Sequence, residues 1–456
     1  MASSHPYLDC SCTQLPVVYC LICLLAFKYI SRMTAPPSIA HSPFDDTTAN
    51  TVLRSCDNVD FYVYKEVLKL ASPFFDTLFS LPQPAPAPVS DQDSTTEDEF
   101  SPEGLPIIPV PEESGVLDYI LRICYPHPNP EQLSSLFLAE RTLIAALKYE
   151  IEAVIEIARD DFIREGSKSP VQMYMFSCRQ NLENEAQIAA NLLRNSYNLA
   201  GWGKPSPTNA DFVRIGIQIY SDDFGQLPAI YLYRLLRHIC FDDGGPFCVC
   251  DTSVDTNAQN DDESHWDLST ELQAILTDYP ADIFLQSSDG IIIPTHKIFL
   301  RVASASSILS QSKEADCPRR NGIPMVKLQH PTDVLTKLVR ACYVPLDHTA
   351  RRLHVDDDLR LFHAAQFYNM RGIAFAAKSR WLSNVAADSL TVYMVASSNG
   401  WTEEAKRAAR DVVLDEISIC TRRVPEMNIG GTARHYYALL KHSDALKQGL
   451  QAVKQY

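Results

Sequence analysis

The chain has 456 residues, 46% hydrophobic and 21% charged, with a formal net charge of −16. This is the composition of an ordinary globular protein, with material for two or three cored domains. Thirteen of the sixteen excess negative charges lie in two stretches without Lys or Arg, Pro82–Gly104 and Phe241–Glu263. The remainder is near neutral, and no basic stripe is present to follow phosphates, which disfavours nucleic acid as a partner. Arg319–Arg320, Arg351–Arg352 and Arg422–Arg423 are scattered pairs and read as solvated surface.

Residues 1–46 read as a leader. Its apolar run, Leu15 to Phe27, is followed by Lys28 and Arg32. The run is shorter than the roughly 20 residues that span a bilayer, and it lacks the positive n-region of a secretory signal. An upstream extension with Met33 as the working start, a membrane anchor and a cleaved signal all stay open. The thirteen cysteines are an odd number in a long chain and form no dense framework. A reducing compartment, cytoplasmic or nuclear, is the simplest setting.

Val52–Cys56 and Val59–Tyr64 are short apolar-rich runs separated by Asp57-Asn58. Asp-Asn tolerates positive φ, so the pair predicts a β-hairpin. A helix follows from near Lys65. Ser72-Pro73 then reads as an N-cap with proline in the first turn, opening a second short helix through Phe74, Phe75 and Leu78. After the acidic, Pro-rich loop at 82–104, Leu105–Val110 predicts a strand and Val116–Cys124 a helix. Leu143, Ala146, Leu147, Ile151, Val154, Ile155, Ala158 and Phe162 then recur at three- and four-residue steps as a longer amphipathic pattern.

The same order returns. Ile283–Ser287 and Ile291–Thr295 flank Asp289-Gly290, a helix begins near Lys297, Ile323–Leu328 predicts a strand, and Val334–Cys342 and Leu361–Trp381 predict helices. Matched residues keep that order. At an offset of 232, Ser55, Lys65, Leu68 and Ala71-Ser72 meet Ser287, Lys297, Leu300 and Ala303-Ser304. At 218, Arg122, Cys124 and Tyr125 meet Arg340, Cys342 and Tyr343. At 219, Tyr149, Tyr174-Met175 and Glu185-Ala186 meet Tyr368, Tyr393-Met394 and Glu404-Ala405. At 204, Tyr233, Leu235, Leu236 and His238 meet Tyr437, Leu439, Leu440 and His442. The offset changes mainly at loop-like sequence, as an internal duplication requires. Each copy reads as an α+β unit, a small sheet covered by helices, with an all-helical tail. The expected division is a leader at 1–46, a first unit at 47–163, its helical extension at 164–240, an acidic linker at 241–264, a second unit at 265–382 and its extension at 383–456.

The run Asp57-Asn58-Val59-Asp60-Phe61-Tyr62-Val63-Tyr64-Lys65-Glu66-Val67-Leu68, with Leu70-Ala71-Ser72-Pro73-Phe74-Phe75, resembles a BTB/POZ domain of the form common in mushroom-forming basidiomycete fungi. Asp289-Gly290, His296-Lys297-Ile298-Phe299-Leu300 and Ala303-Ser304 carry the more general version of that signature, and Ile120–Tyr125 resembles the family's next helix. The helices after each copy are similar to a shortened BACK-type extension. The resemblance covers about residues 47–445. It implies two BTB/POZ-like units, homo- or hetero-association with other proteins, and often an adaptor role for cullin-type ubiquitin ligases. Two departures bear on this. Ser306-Ser307 stands where the first copy has Phe74-Phe75, and neither Leu78–Pro82 nor Leu309–Ser312 fits the apolar-x-acidic motif of cullin-binding relatives.

A non-enzymatic interaction scaffold is therefore the expectation, without cofactor or metal. His296-Lys297 has no partner nucleophile or acid in sequence and reads as a strand-to-helix junction. His238, Cys240, Cys248, Cys250 and His265 could form a zinc module or metal-dependent enzyme, but Cys-x-Cys is not the usual Cys-x₂₋₄-Cys spacing. No GxSxG, HExxH or phosphate-loop motif is present, and Gly244-Gly245 and Gly430-Gly431 mark turns. One segment reads as a candidate interface: Trp266, Leu272 and Leu276 fall on one helical face with Ser269, flanked by Leu268 and Ile275. The resemblance implies that a helix there packs across a dimer interface; packing on its own unit is the alternative.

Overall fold

The Asp-Asn and Asp-Gly pairs each close a hairpin, and the two hairpins share one register in the computed structural model. The structure describes residues 37–81, 101–125, 130–197, 208–241, 275–276, 278–303, 306–311, 317–344, 355–386, 388–414 and 431–454. Among these the chain is mixed α/β and mostly helical, with two four-stranded sheets. It divides into two compact units, Met1–Tyr197 and Asn198–Tyr456.

In the first unit, β1 (Ser38–Ile39) lies parallel to β3 (Val59–Val63). β3 pairs antiparallel with β2 (Thr51–Arg54), and β2 pairs parallel with β4 (Ile107–Pro109). Helices α1 (Lys65–Ala71) and α2 (Pro73–Ser80) follow the hairpin, and α3 (Ser114–Cys124) follows β4. Four helices complete the unit: α4 (Leu136–Lys148), α5 (Glu152–Gly166), α6 (Pro170–Arg179) and α7 (Glu183–Tyr197). The amphipathic pattern expected through 143–162 is thus two helices. Glu150 takes φ 52° between them, a left-handed conformation that ends α4, and Ile151 starts α5 extended.

The second unit begins with α8 (Asn209–Ile219), a 3₁₀ turn (Phe224–Gln226) and α9 (Ala229–Cys240). Its sheet runs in the order β6-β5-β8-β7, from β5 (Ile283–Gln286), β6 (Ile292–Thr295), β7 (Arg319–Arg320) and β8 (Ile323–Lys327). α10 (Lys297–Val302) and α11 (Ser306–Gln311) follow β6, and α12 (Thr332–Tyr343) follows β8. Then come α13 (Val355–Phe367), α14 (Arg371–Val385), α15 (Ser389–Ser398), α16 (Thr402–Leu414) and α17 (Ala433–Lys454).

The matched residues have matched physical roles. Thr51 pairs with Val63 as Ile283 pairs with Thr295, and Val52 with Ile107 as Phe284 with Met325. Asn58 (φ 65°) and Gly290 (φ 87°) both take the positive φ of the hairpin turn. Ser55 Oγ accepts from the amide of Val59, and Ser287 Oγ from that of Ile291, both at 3.0 Å. Asp57 then reaches across to cap the start of α3, accepting from Ser114 N (2.7 Å) and Ser114 Oγ (2.6 Å). Asp289 does the same for α12 through Thr332 N (3.2 Å) and Thr332 Oγ1 (2.8 Å). The acidic turn residue thus satisfies donors left over at a helix start. Arg159–Glu185 and Lys378–Glu404 are an equivalent ion pair in the two units, each at 2.7 Å.

The departures are also local. Ser72 caps α2 by accepting from Phe75 N, and the Phe74 and Phe75 rings pack on Tyr149. The second copy has no aromatic pair there, and Ile308 is the buried residue of α11. Arg380 and Asp358 form a buried ion pair in the second unit. The first has Asp161 at the position of Arg380, accepting from Tyr119 Oη (2.8 Å) and Leu133 N (3.1 Å) and paired with Arg164. Arg319 and Arg320 lie exposed on the short edge strand β7. The helical extension expected at 164–240 is divided: α6 and α7 belong to the first unit, α8 and α9 to the second. α8 and α9 bury their apolar faces together with α17, from the other repeat, and periodicity alone cannot name that partner.

Candidate interaction surface

α10 is a short helix whose rotation is fixed from three sides. Asp282 Oδ1 accepts from Lys297 N at 2.7 Å, holding its first turn. Leu300 is fully buried in the core of the second unit. The Phe299 ring lies 4.1 Å from that of Tyr343. With those side chains facing inward, Ile298 and Val302, one turn apart, face outward and are 56% and 74% exposed.

His296 ties this helix to the segment before the sheet. Its Nε2 donates to the Tyr279 carbonyl at 2.9 Å, because a carbonyl can only accept. In the neutral ring Nδ1 is then free to accept the Tyr343 hydroxyl proton at 2.7 Å. The Tyr343 oxygen in turn accepts from His296 N (3.1 Å) and lies 2.9 Å from Thr295 Oγ1. His296 is therefore a junction residue between β6 and α10, as its sequence context suggested. Its link to Tyr279 brings that segment against the start of α10, and the Tyr279 side chain is 68% exposed. Ile298 and Val302 make the candidate surface, with the exposed Tyr279 on the segment tied to the start of α10.

The first unit differs at the equivalent positions. Glu66 replaces Ile298 and accepts from Asn50 Nδ2 at 2.8 Å, while Thr47 replaces Tyr279. Only Leu70, in the place of Val302, keeps an exposed apolar side chain, at 91%. The apolar strip is thus a property of the second copy.

Of the interface residues expected from sequence, Trp266, Leu268 and Leu272 lie outside the described residues. Ile275 and Leu276 are helical and half-buried. Leu276 packs against the core of the second unit, and the Ile275 carbonyl accepts from Tyr279 N at 2.8 Å. Sequence reasoning missed Ile298, Val302 and Tyr279. The i, i+4 spacing of Ile298 and Val302 was visible, but six helical residues are too few for periodicity to tell an inward from an outward face.

His238 and Cys240 lie in the last turn of α9, while Cys248, Cys250 and His265 fall outside the described residues. Among the described residues, no three His, Cys, Asp or Glu side chains are grouped to hold a metal. Cys124 and Cys342 are half-buried, and burial pushes both thiols up to about 12, so they are inert packing groups at neutral pH. Among the described residues no helix is long and apolar enough to cross a membrane; Leu15–Phe27 is outside them. No protein-family model matches the chain, and no curated protein shows significant similarity to it.

Proposed function

We propose that the chain is a non-enzymatic protein-interaction scaffold of two BTB/POZ-like units, and that it associates with other proteins, or with itself, through the apolar face of α10. The observation that carries this reading is the pair Ile298 and Val302 on a helix locked by Asp282, Leu300 and Tyr343. A rigid apolar strip loses little conformational entropy on binding, which favours its use as a contact. The repeated order of hairpin, helix pair, parallel strand and helix supports the family reading. Recruitment of a cullin-type ligase is a narrower version that no observation singles out.

Ile298→Asp with Val302→Asp tests the reading. Both side chains are exposed, so the fold should tolerate the charges. Covering their exposed fractions contributes about 2–3 kcal/mol at the usual value for a buried aliphatic side chain. The variant should weaken association roughly a hundredfold, measured by sedimentation equilibrium for self-association and by co-purification for other partners. A wild-type chain that stays monomeric at about 100 µM, and retains the same proteins as the folded variant, would remove the proposal.

A further inference from the structure

α9 and α17 are equivalent helices of the two repeats, related by the offset of 204, and they meet in the second unit about a local pseudo-twofold. Ala229 N donates to the Gly431 carbonyl at 3.1 Å, and Ala433 N donates to the Leu227 carbonyl at 2.7 Å. Each bond is the other with the two repeats exchanged. Between them Pro228 and Thr432, again 204 apart, form an antiparallel bridge. A contact in which residue i meets j and the equivalent of j meets the equivalent of i is the signature of an isologous interface between identical subunits. Here it occurs within one chain.

Side chains pack across the same junction, although only the backbone pair is exchanged by the repeat. Leu235 and Leu236 on α9, and Leu439 and Leu440 on α17, are all fully buried. Gly216 on α8 lies where a Cβ would come 2.6 Å from Leu440 Cδ1 and 2.9 Å from Leu236 Cδ1. It therefore faces the two equivalent leucines at once. The Tyr220 and Tyr437 rings stack with centroids 3.7 Å apart and planes 3° apart, and the Tyr436 ring meets that of Tyr233 edge-on at 5.8 Å. α17 is also held on its own repeat, where Tyr393 Oη donates to the His435 carbonyl at 2.9 Å.

We propose that the last helical element of each repeat is a homotypic recognition site whose partner is a second copy of the same element. In this chain the two copies clasp each other, and the clasp is a non-covalent association that does not depend on the acidic linker. The linker raises the local concentration of two surfaces that already recognise each other.

The test uses the full folded chain with a protease site placed within residues 251–260. After cleavage, at about 1 µM, the two pieces should elute as one species with the mass of the whole chain. Gly216→Leu, which drives a side chain between Leu236 and Leu440, and Tyr437→Ala, which removes the half-buried stacked ring, should each lower the affinity of the pieces tenfold or more. Circular dichroism confirms that each variant stays helical, and Tyr437→Ala keeps the test decisive should Gly216→Leu unfold the protein. Separation of the wild-type pieces overturns the proposal. So does persistent association in the folded variants, because the pieces would then be held elsewhere.

Discussion

The equivalent tyrosines Tyr125 and Tyr343 offer one substitution with two different expected costs. Tyr125 Oη accepts a single bond from Tyr64 N, at 2.8 Å. Tyr343 Oη has three partners, His296 N, His296 Nδ1 and Thr295 Oγ1, at 2.7–3.1 Å. Thr295 and His296 are buried, whereas Tyr64 is half-buried and so retains access to water. Replacing either tyrosine by phenylalanine keeps the ring and removes the hydroxyl. Tyr125→Phe should cost about 1 kcal/mol, the ordinary net value of one bond. Tyr343→Phe should cost about 2–4 kcal/mol, since buried partners are left unsatisfied.

Trp381 and Trp401 are buried in the core of the second unit, and no tryptophan lies within residues 1–197, so intrinsic tryptophan fluorescence follows the second unit. With an m value of about 3 kcal/mol/M in urea, Tyr343→Phe should lower the fluorescence midpoint by about 1 M. Tyr125→Phe should leave that midpoint in place and move only the circular dichroism transition of the first unit. Equal midpoint losses for the two variants, or a larger loss for Tyr125→Phe, would refute the hydrogen-bond assignment.

Desolvation raises the Glu140 carboxyl to about 7, partly offset by Arg179 and Arg141. Because the folded value lies above the unfolded one, the native state binds more protons between pH 4.5 and 7, and stability falls as pH rises through that window. Glu140→Gln should abolish the fall, a gain of roughly 1 kcal/mol at pH 8 after allowing for solvent screening, read from urea unfolding of the first unit at pH 5 and 8. An unchanged pH slope would show that Glu140 is not the group responsible. Arg380 donates to Asp358 from Nε at 2.8 Å, and both side chains are buried. Arg380→Met should cost about 3–5 kcal/mol by stranding the carboxylate, and adding Asp358→Leu should recover much of it. A double variant as unstable as the sum of the singles would argue against a coupled pair.

The repeat, the hairpins and the order of elements were legible from the residues alone. Turn chemistry and helix starts are encoded within a few residues: Asp57-Asn58, Asp289-Gly290 and Ser72-Pro73 each act on their own backbone or the next turn. The matched tyrosines and aspartates were legible as a pattern, although their roles as long-range caps were not. The outward face of α10, the break at Glu150 in the pattern at 143–162, and the pairing of α8 and α9 with α17 emerge from packing. The reason is physical. Burial depends on what a face meets, and Ile298 and Leu300 are alike as residues until Tyr343 and the sheet fix the helix's rotation. Likewise, Leu236 and Leu440 read as two separate apolar stripes, and only folding brings both against Gly216.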